Sequence, residues 1–286
     1  SSGVINCMTS STANKRRTTE SYERVIGSIQ YAIQRLCELI EQTDIKPNVL
    51  TRLEQPLPNV SMLAWLETNN SQVKQFWSNR SKDFSISGIG SACTLQAANH
   101  EEIPHTFKQI KALIKGSNAT FVGGVAFDEQ SLSDHWLHRP YAEFVLPQIE
   151  ISCKNGHYIL AVNILPETFE TVALLRVSLA NKLKTLNFSR HHLNTDLTKY
   201  KITARTHQTD EELWYEAVSK ALIDIKSTKL NKVVLSRQTE LKLSAPVTGE
   251  SLLSKWQQLD DNGYLFLLKF GQDSVVGNSP ECLYKK

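Results

Sequence analysis

Short apolar runs, each bounded by glycine, proline, asparagine or serine, dominate the chain from residue 60 onward. Runs of this length that are rich in β-branched and aromatic residues are typical of β-strands. We predict strands at residues 61–66, 84–89, 119–127, 143–153, 157–164, 232–243, 264–270 and 274–276. Because turn residues separate neighbouring runs, the pattern favours hairpins and antiparallel pairing.

Helical patterns interrupt these strands. Apolar residues between Val25 and Ile40 recur every three or four positions, which is the spacing of an amphipathic helix. Similar stripes and capping pairs predict further helices at residues 106–116, 167–185, 209–225 and 248–260. Since strands and helices do not alternate one by one, we predict an α+β fold with large, mainly antiparallel β-sheets and helices packed on the outside.

The chain divides into four predicted segments. Residues 1–18 are polar and rich in serine and threonine, and are expected to form a disordered tail. Residues 19–58 hold the first helix and a connector that contains prolines, and residues 60–205 hold the first group of strands. Residues 206–286 begin with a capped helix and form the last predicted region.

Charge and cysteine usage exclude several classes of protein. The formal net charge is +3 with no basic stripe, so nucleic acid is not an expected partner. No run is long enough to span a bilayer, so no membrane partner is predicted. The five cysteines form no CxxC pair, which is the usage of a reducing cytoplasm, and we predict a cytoplasmic monomer.

Lys232 is the first candidate for chemistry. It lies in the run NKVVLSR at 231–237, where strand alternation places it on one face with Val234 and Ser236. Burial would lower the pKa of its amine, so that the neutral form could act as a base. A solvated lysine on an edge strand is the simpler interpretation, and the residues alone favour it.

Glu281 is the second candidate. It follows the sequence GNSP at 277–280, in which the glycine and the proline restrict the path of the backbone. A carboxylic acid at such a junction can donate a proton if its pKa is raised. Again a surface glutamate at a turn is the simpler interpretation.

Two further patterns carry less weight. His135 and His138 are spaced so that both could reach one metal on a helix, but no third ligand is evident near them, and no metal site is predicted. Gly123 and Gly124 lie inside an apolar run, which predicts a bulge or a close approach of another backbone segment.

Taken together, the blocks NKVVLSR at 231–237 and GNSPECL at 277–283 resemble the first two signature blocks of the chorismate-utilising enzymes. Their separation also fits that family, which includes isochorismate, salicylate, anthranilate and aminodeoxychorismate synthases. The N-terminal half is most similar to isochorismate synthases of the menaquinone type. That similarity rests on the sequences LAWL at 63–66, QFWSNR at 75–80, GIG at 88–90, FVGGVAFD at 121–128 and FVLP at 144–147.

The resemblance implies the fold of anthranilate synthase component I and a Mg²⁺-dependent isomerase that converts chorismate to isochorismate for menaquinone or phylloquinone synthesis. In this reaction Lys232 would be the general base that takes a proton from the water attacking C2. Glu281 would be the general acid that protonates the C4 hydroxyl as it leaves. Anthranilate synthases tend to carry glutamine at the position of Lys232, which favours water as the nucleophile here. Cys282 departs from the arginine of many relatives.

The resemblance makes residues 60–205 the N-terminal part of the synthase fold and residues 206–286 the start of its chorismate-binding catalytic region. The magnesium ligands and most contacts to the substrate carboxylates are expected beyond residue 286, so no metal-binding or substrate-binding residue is assigned. We therefore expect an N-terminal fragment that is inactive alone. Two alternatives stay open: a siderophore-pathway isochorismate synthase or salicylate synthase, and, from another class, an inactive fragment that binds chorismate.

Overall fold

The computed structural model describes residues 9–128, 138–188, 196–227, 230–259, 262–282 and 284. The chain forms two compact units. The first unit contains residues 1–193 and 249–286, and the second contains residues 194–248. The predicted boundary between residues 205 and 206 does not coincide with this division.

Twelve strands lie in the described part of the chain, and all of their pairings are antiparallel. They are β1 (Thr51–Leu57), β2 (Val73–Ser78), β3 (Phe84–Ile89), β4 (Cys93–Ala97), β5 (Val122–Val125), β6 (Ala142–Leu146), β7 (Ile149–Lys154), β8 (His157–Ile164), β9 (Ile202–His207), β10 (Thr239–Leu243), β11 (Tyr264–Phe270) and β12 (Asp273–Ser279). The first unit contains a seven-stranded sheet in the order β1-β8-β7-β3-β2-β11-β12 and a three-stranded sheet in the order β4-β6-β5.

Six α-helices accompany these strands in the described residues. They are α1 (Thr9–Gln42), α2 (Met62–Thr68), α3 (Ile103–Leu113), α4 (Phe169–Lys184), α5 (Glu211–Ser227) and α6 (Gly249–Leu259). No helix among the described residues has the length and apolar character needed to cross a bilayer. The predicted α+β class with antiparallel sheets is confirmed.

The hydrophobic core of the first unit lies between one face of the seven-stranded sheet and four helices, α1, α2, α4 and α6. Leu36 of α1 and Leu179 of α4 are fully buried, and so are Leu160 of β8 and Leu265 of β11. Burial of each such side chain contributes about 1.5–3 kcal/mol. This contact explains the apolar stripe from Val25 to Ile40, because that stripe is the sheet-facing side of α1.

The first helix begins at Thr9, so the prediction of a disordered tail over residues 1–18 was wrong for residues 9–18. Between Thr9 and Gly27 the sequence contains no glycine or proline. Adding a residue to an existing helix is cheap once a nucleus has formed, and the packed turns from residue 25 onward supply that nucleus. A polar sequence can therefore continue the helix.

The connector predicted between the first helix and residue 58 was wrong for residues 51–57, because Thr51–Leu57 forms strand β1. Pro56 lies within this strand and pairs with Ile159 of β8. Proline is tolerated there because β1 is the outermost strand of its sheet, where no further strand requires its missing N–H.

Residues 61–66 were predicted as a strand, but residues 62–66 belong to helix α2. Met62, Leu63, Ala64, Trp65 and Leu66 are all buried there. A short run that is apolar on every side fits a buried helix as well as a buried strand. Ser61 was the one sequence signal in this run that favoured a helix, because serine is a common N-cap residue. Its hydroxyl accepts a hydrogen bond from the backbone N–H of Ala64 and caps the helix.

Smaller differences concern where elements begin and end. The helix predicted at 106–116 spans Ile103–Leu113, and Thr106 lies inside it instead of capping it. The run at 143–153 forms two strands, β6 and β7, which Pro147 and Gln148 separate. Helices α4 and α6 and strands β3, β8 and β11 lie close to their predicted ranges.

The glycine pair in β5 makes the predicted close backbone approach. A Cβ atom on Gly123 would lie 2.0 Å from the carbonyl oxygen of Glu143 in the adjacent strand β6. Only glycine fits this position, which confirms the interpretation made from the sequence.

The second unit, by itself, is a two-stranded sheet of β9 and β10 with helix α5. Every residue of β9 is exposed, and no described residue of α5 is buried. Large apolar side chains remain in contact with solvent, including Leu213, Tyr215, Leu222 and Ile223 of α5 at 51–62% exposure.

Candidate functional site

Lys232 lies in the second unit, in an irregular segment between α5 and β10. The predicted strand at 232–243 is limited to Thr239–Leu243, so it was wrong for residues 232–238. Lys232 is exposed, as are its neighbours Val233 and Val234. Alternating apolar residues form a strand only when a partner strand is present, and in this unit β9 pairs with 239–243 alone.

Glu281 lies in the first unit, two residues beyond the end of β12. The hydroxyl of Ser279 donates a hydrogen bond to Oε2 of Glu281, and the backbone N–H of Glu281 donates to the same hydroxyl at 3.4 Å. The carboxylate is exposed. The Ser279 hydrogen bond is the main cause that lowers the pKa of Glu281 below its ordinary value.

Tyr264 occupies the neighbouring position on the sheet. It pairs with Ser279 across the β11–β12 hairpin, and its ring lies 5.9 Å from that of Trp77 on β2. A hydrogen bond to Cys282 is the main cause that raises the pKa of the Tyr264 hydroxyl, and the positive charge of Arg80 opposes that rise. The corner that holds Glu281 therefore also contains a phenol, a thiol and a guanidinium group.

Sequence reasoning did not assign any role to Tyr264. Trp77 and Arg80 belong to the block QFWSNR that supports the family resemblance, but that block says nothing about proximity to Glu281. The proximity depends on the pairing of β2 with β11, which joins segments far apart in the chain.

Two buried ion pairs in the first unit were likewise missed. Nη2 of Arg52 on β1 lies 2.7 Å from Oε1 of Glu150 on β7, and Oε2 of Glu150 accepts a hydrogen bond from the Asn163 side chain at 2.9 Å. Burial raises the pKa of Glu150, while the charge of Arg52 and both hydrogen bonds act in the opposite direction. The second pair, Lys74 with Glu250, has an Nζ–Oε1 distance of 3.1 Å.

Mg²⁺ takes oxygen ligands, usually from carboxylates, in a nearly octahedral arrangement. Within residues 9–128, 138–188, 196–227, 230–259 and 262–282, no group of three or more His, Cys, Asp or Glu side chains could hold a metal ion. His135, one of the two histidines considered above, lies outside the described residues, and His138 is exposed.

The sequence profile of the family described as chorismate binding enzyme matches residues 32–286. The isochorismate synthase MenF of Haemophilus influenzae is 23% identical over 242 residues, which cover 84% of this chain and 49% of that protein. Isochorismate synthase MenF of Bacillus subtilis is 23% identical over 230 residues, covering 74% of this chain and 48% of that protein. The chain spans about half the length of the curated relatives it matches.

One solved structure gives a direct comparison of the fold. MenF of Escherichia coli, described as the menaquinone-specific isochorismate synthase, has a TM-score of 0.70 and 20% sequence identity. The comparison covers 89% of this chain and 56% of that chain. The likeness confirms the fold that the sequence resemblance implied.

Proposed function

The chain belongs to the chorismate binding enzymes, and from this premise we propose that it functions as part of an isochorismate synthase of the menaquinone or phylloquinone route. The observation that carries the proposal is the family match, which includes both Lys232 and Glu281 within one aligned range. The names of the H. influenzae and B. subtilis relatives support this activity over salicylate synthesis. We place the protein in the cytoplasm, in keeping with the free thiols of Cys37, Cys93, Cys153 and Cys282.

In the proposed reaction Lys232, as a neutral amine, accepts a proton from a water molecule while the water oxygen bonds to C2 of chorismate. The ring double bonds shift, the C4–oxygen bond breaks, and Glu281 gives its proton to the leaving hydroxyl. Water is consumed and released, so the reaction is an isomerisation. Each proton transfer by a well-placed group typically accelerates a reaction by about 10²–10⁴.

These roles require protonation states that solvent does not favour at neutral pH. Lys232 must lose its proton and Glu281 must keep one, yet both residues are exposed and Ser279 lowers the pKa of Glu281. We propose that residues in the half of the relatives' length that this chain does not span cover both groups. The same residues would provide the ligands for Mg²⁺, which would hold the ring carboxylate of chorismate.

The experiment that tests the proposal is product analysis by chromatography after incubation with chorismate and Mg²⁺. We expect no turnover from the 286-residue chain alone, and isochorismate from a protein of the relatives' full length that contains it. Fluorescent salicylate as the product would identify a salicylate synthase instead.

The third possibility, a chain that binds chorismate without converting it, has its own test. If the fragment only binds chorismate, isothermal titration of the 286-residue chain would show tight binding of chorismate, with no product by chromatography. The substitution Glu281→Gln keeps the shape of the side chain but cannot donate a proton as a carboxylic acid. Wild-type turnover in that variant would remove Glu281 as the acid.

A further inference from the structure

The ion pair of Lys74 and Glu250 is buried in the first unit and has no part in the proposed proton transfers. The two side chains are 7% and 5% exposed, with their charged atoms 3.1 Å apart. Removing a lysine and a glutamate from water is unfavourable, and the attraction between them offsets that cost only when the geometry is good. A gain in stability alone therefore does not explain why this ion pair is buried.

The pair joins three elements. Lys74 belongs to β2, and its Nζ also donates a hydrogen bond of 2.6 Å to the backbone oxygen of Leu66 in α2. Glu250 lies in the first turn of α6, and the next residue, Ser251, donates a hydrogen bond of 3.1 Å to Oε1 of Glu67 in α2. The start of α6 is thus fixed to β2 and to the end of α2.

The same turn of α6 lies directly on the β11–β12 hairpin. A Cβ atom on Gly249 would lie 2.5 Å from Leu267 Cδ1 of β11 and 2.8 Å from Val276 Cγ1 of β12. Only glycine allows this approach without displacing those side chains. Two residues beyond the end of β12 the chain reaches Glu281.

The position of Glu281 is therefore connected to Lys74 through α6 and β12. All residues between Asn194 and Thr248 belong to the other unit, so the chain returns to the first unit at the turn that contains Glu250. We propose that Lys74 and Glu250 are positioning residues, which fix the returning segment on the sheet and so hold Glu281 in place. This inference rests on the acid role of Glu281 in the proposed function.

The test uses the full 286-residue chain and needs no turnover. Lys74→Met and Glu250→Gln each leave one charge buried without its partner. We expect the amides of β12 to exchange with deuterium at least about tenfold faster in either variant, with a smaller change in β7. The ¹³C shift of the Glu281 carboxylate should move in the same variants, because its contact with Ser279 depends on the position of β12.

Three further variants make the result specific. Glu150→Gln breaks the other buried pair, and should accelerate exchange in β7 while leaving β12 and the Glu281 signal unchanged. Lys74→Arg keeps the positive charge, so the amides of β12 should exchange as slowly as in the wild type. Lys74→Met combined with Glu250→Gln leaves no uncompensated charge but also removes the ion pair, so the amides of β12 should still exchange faster than in the wild type.

Unchanged exchange in β12, or equal acceleration in β7 and β12, would overturn the positioning role. If Lys74→Met does not fold, Lys74→Arg and Glu250→Gln still decide the question by the same measurements. In a protein of the relatives' full length with measurable turnover, Lys74→Met and Glu250→Gln should each lower kcat at least about tenfold, with little change in KM. Because exchange and the carboxylate shift do not depend on isochorismate formation, failure of the proposed activity would be seen separately in the product analysis.

Discussion

At the scale of single residues, Glu281 shows how a short-range contact acts against a proposed role. The hydroxyl of Ser279 stabilises the carboxylate form, whereas a general acid must hold its proton until the leaving group departs. In this environment Glu281 is an anion at neutral pH. If apolar groups covered Glu281, its pKa would rise and the carboxylic acid form would be favoured, because burial disfavours the charged form.

The contact between Ser279 and Glu281 gives a prediction about titration. Replacing Ser279 by alanine removes the hydrogen bond that stabilises the anion, so the pKa of Glu281 should rise toward its ordinary value. NMR titration of the Glu281 carboxyl carbon would measure this. Glu38 of α1, whose pKa is lowered by hydrogen bonds from the Gln34 and Arg35 side chains, serves as an unchanged reference in the same spectra.

The sign of the related pH effect follows from linkage. A carboxyl group whose pKa is lower in the folded state stabilises the fold above its unfolded pKa, and that contribution disappears as pH falls through the folded pKa. Ser279→Ala should remove this acid-range dependence. An identical pKa in wild type and variant would show that the hydrogen bond does not form in solution.

Lys232 provides the most direct test of the proposed chemistry. In a full-length protein with turnover, Lys232→Ala should reduce kcat at least about a hundredfold, because no other group would accept the proton of the attacking water. Lys242→Ala is a matched control, since Lys242 is an exposed lysine of the same unit. Equal rates for Lys232→Ala and wild type would contradict the base role.

The chemical types of the candidate residues could be predicted from the sequence, but their surroundings could not. Lys232 and Glu281 were chosen as candidates because each lies in a short block that resembles a family signature. Lys74 and Glu250 lie in no such block and are 176 positions apart, so only the fold brings them together. A lysine that follows an apolar residue gives no sign, from local pattern alone, that it is buried.

At the scale of elements, the β11–β12 hairpin depends on the absence of a side chain at Gly277. This residue pairs with Phe266, and a Cβ atom there would lie 2.0 Å from Cζ of the phenylalanine ring. The Phe266 ring occupies the space that a side chain at position 277 would need. From Gly277, strand β12 continues to Ser279, and Glu281 follows two residues later.

Gly277→Ala should therefore lower the free energy of unfolding by about 1–3 kcal/mol, because the Phe266 ring must leave its position. Denaturant unfolding monitored by circular dichroism measures this change. Gly124→Ala is the control, since its nearest non-bonded neighbour, Leu268 Cδ1, would be at an ordinary contact distance of 3.8 Å. A Gly277→Ala protein as stable as the wild type would show that the ring has free space to move.

Elements with a clear period were predictable, and those with a uniform apolar sequence were not. The stripe of α1 and the hairpin at 264–276 followed from local pattern because one face of each is buried. Helix α2 is buried on all sides, which removes the period, and β1 contains Pro56, which suggested a connector. In both cases the tertiary surroundings decided the conformation.

At the scale of the whole molecule, the two units differ in how much apolar surface they bury. The first has a core of leucine, isoleucine and valine side chains on one sheet face, whereas none of the residues of β9 or α5 described here is buried. A two-stranded sheet is only marginally stable in water without further packing. The two units should therefore differ in local stability.

Hydrogen exchange followed by mass spectrometry tests this difference. We expect the amides of β9 to exchange at least about a hundredfold faster than those of β8, because opening the second unit exposes little additional apolar surface. Helix α6, which belongs to the first unit, should show protection similar to that of β8. Equal protection of β9 and β8 would indicate that the second unit is as stable as the first.

The pairing of β2 with β11 has a consequence for synthesis on the ribosome. Phe76 of β2 can pair with Leu267, its partner in the register, only after Leu267 has been synthesised, almost two hundred residues later. At about 5–20 residues per second, the free edge of β2 stays open for roughly 10–40 s in the nascent chain. During that time Phe76 and Trp77 form an apolar strand edge to which another polypeptide can bind, so a chaperone that recognises such edges would be needed most before codon 264 is translated.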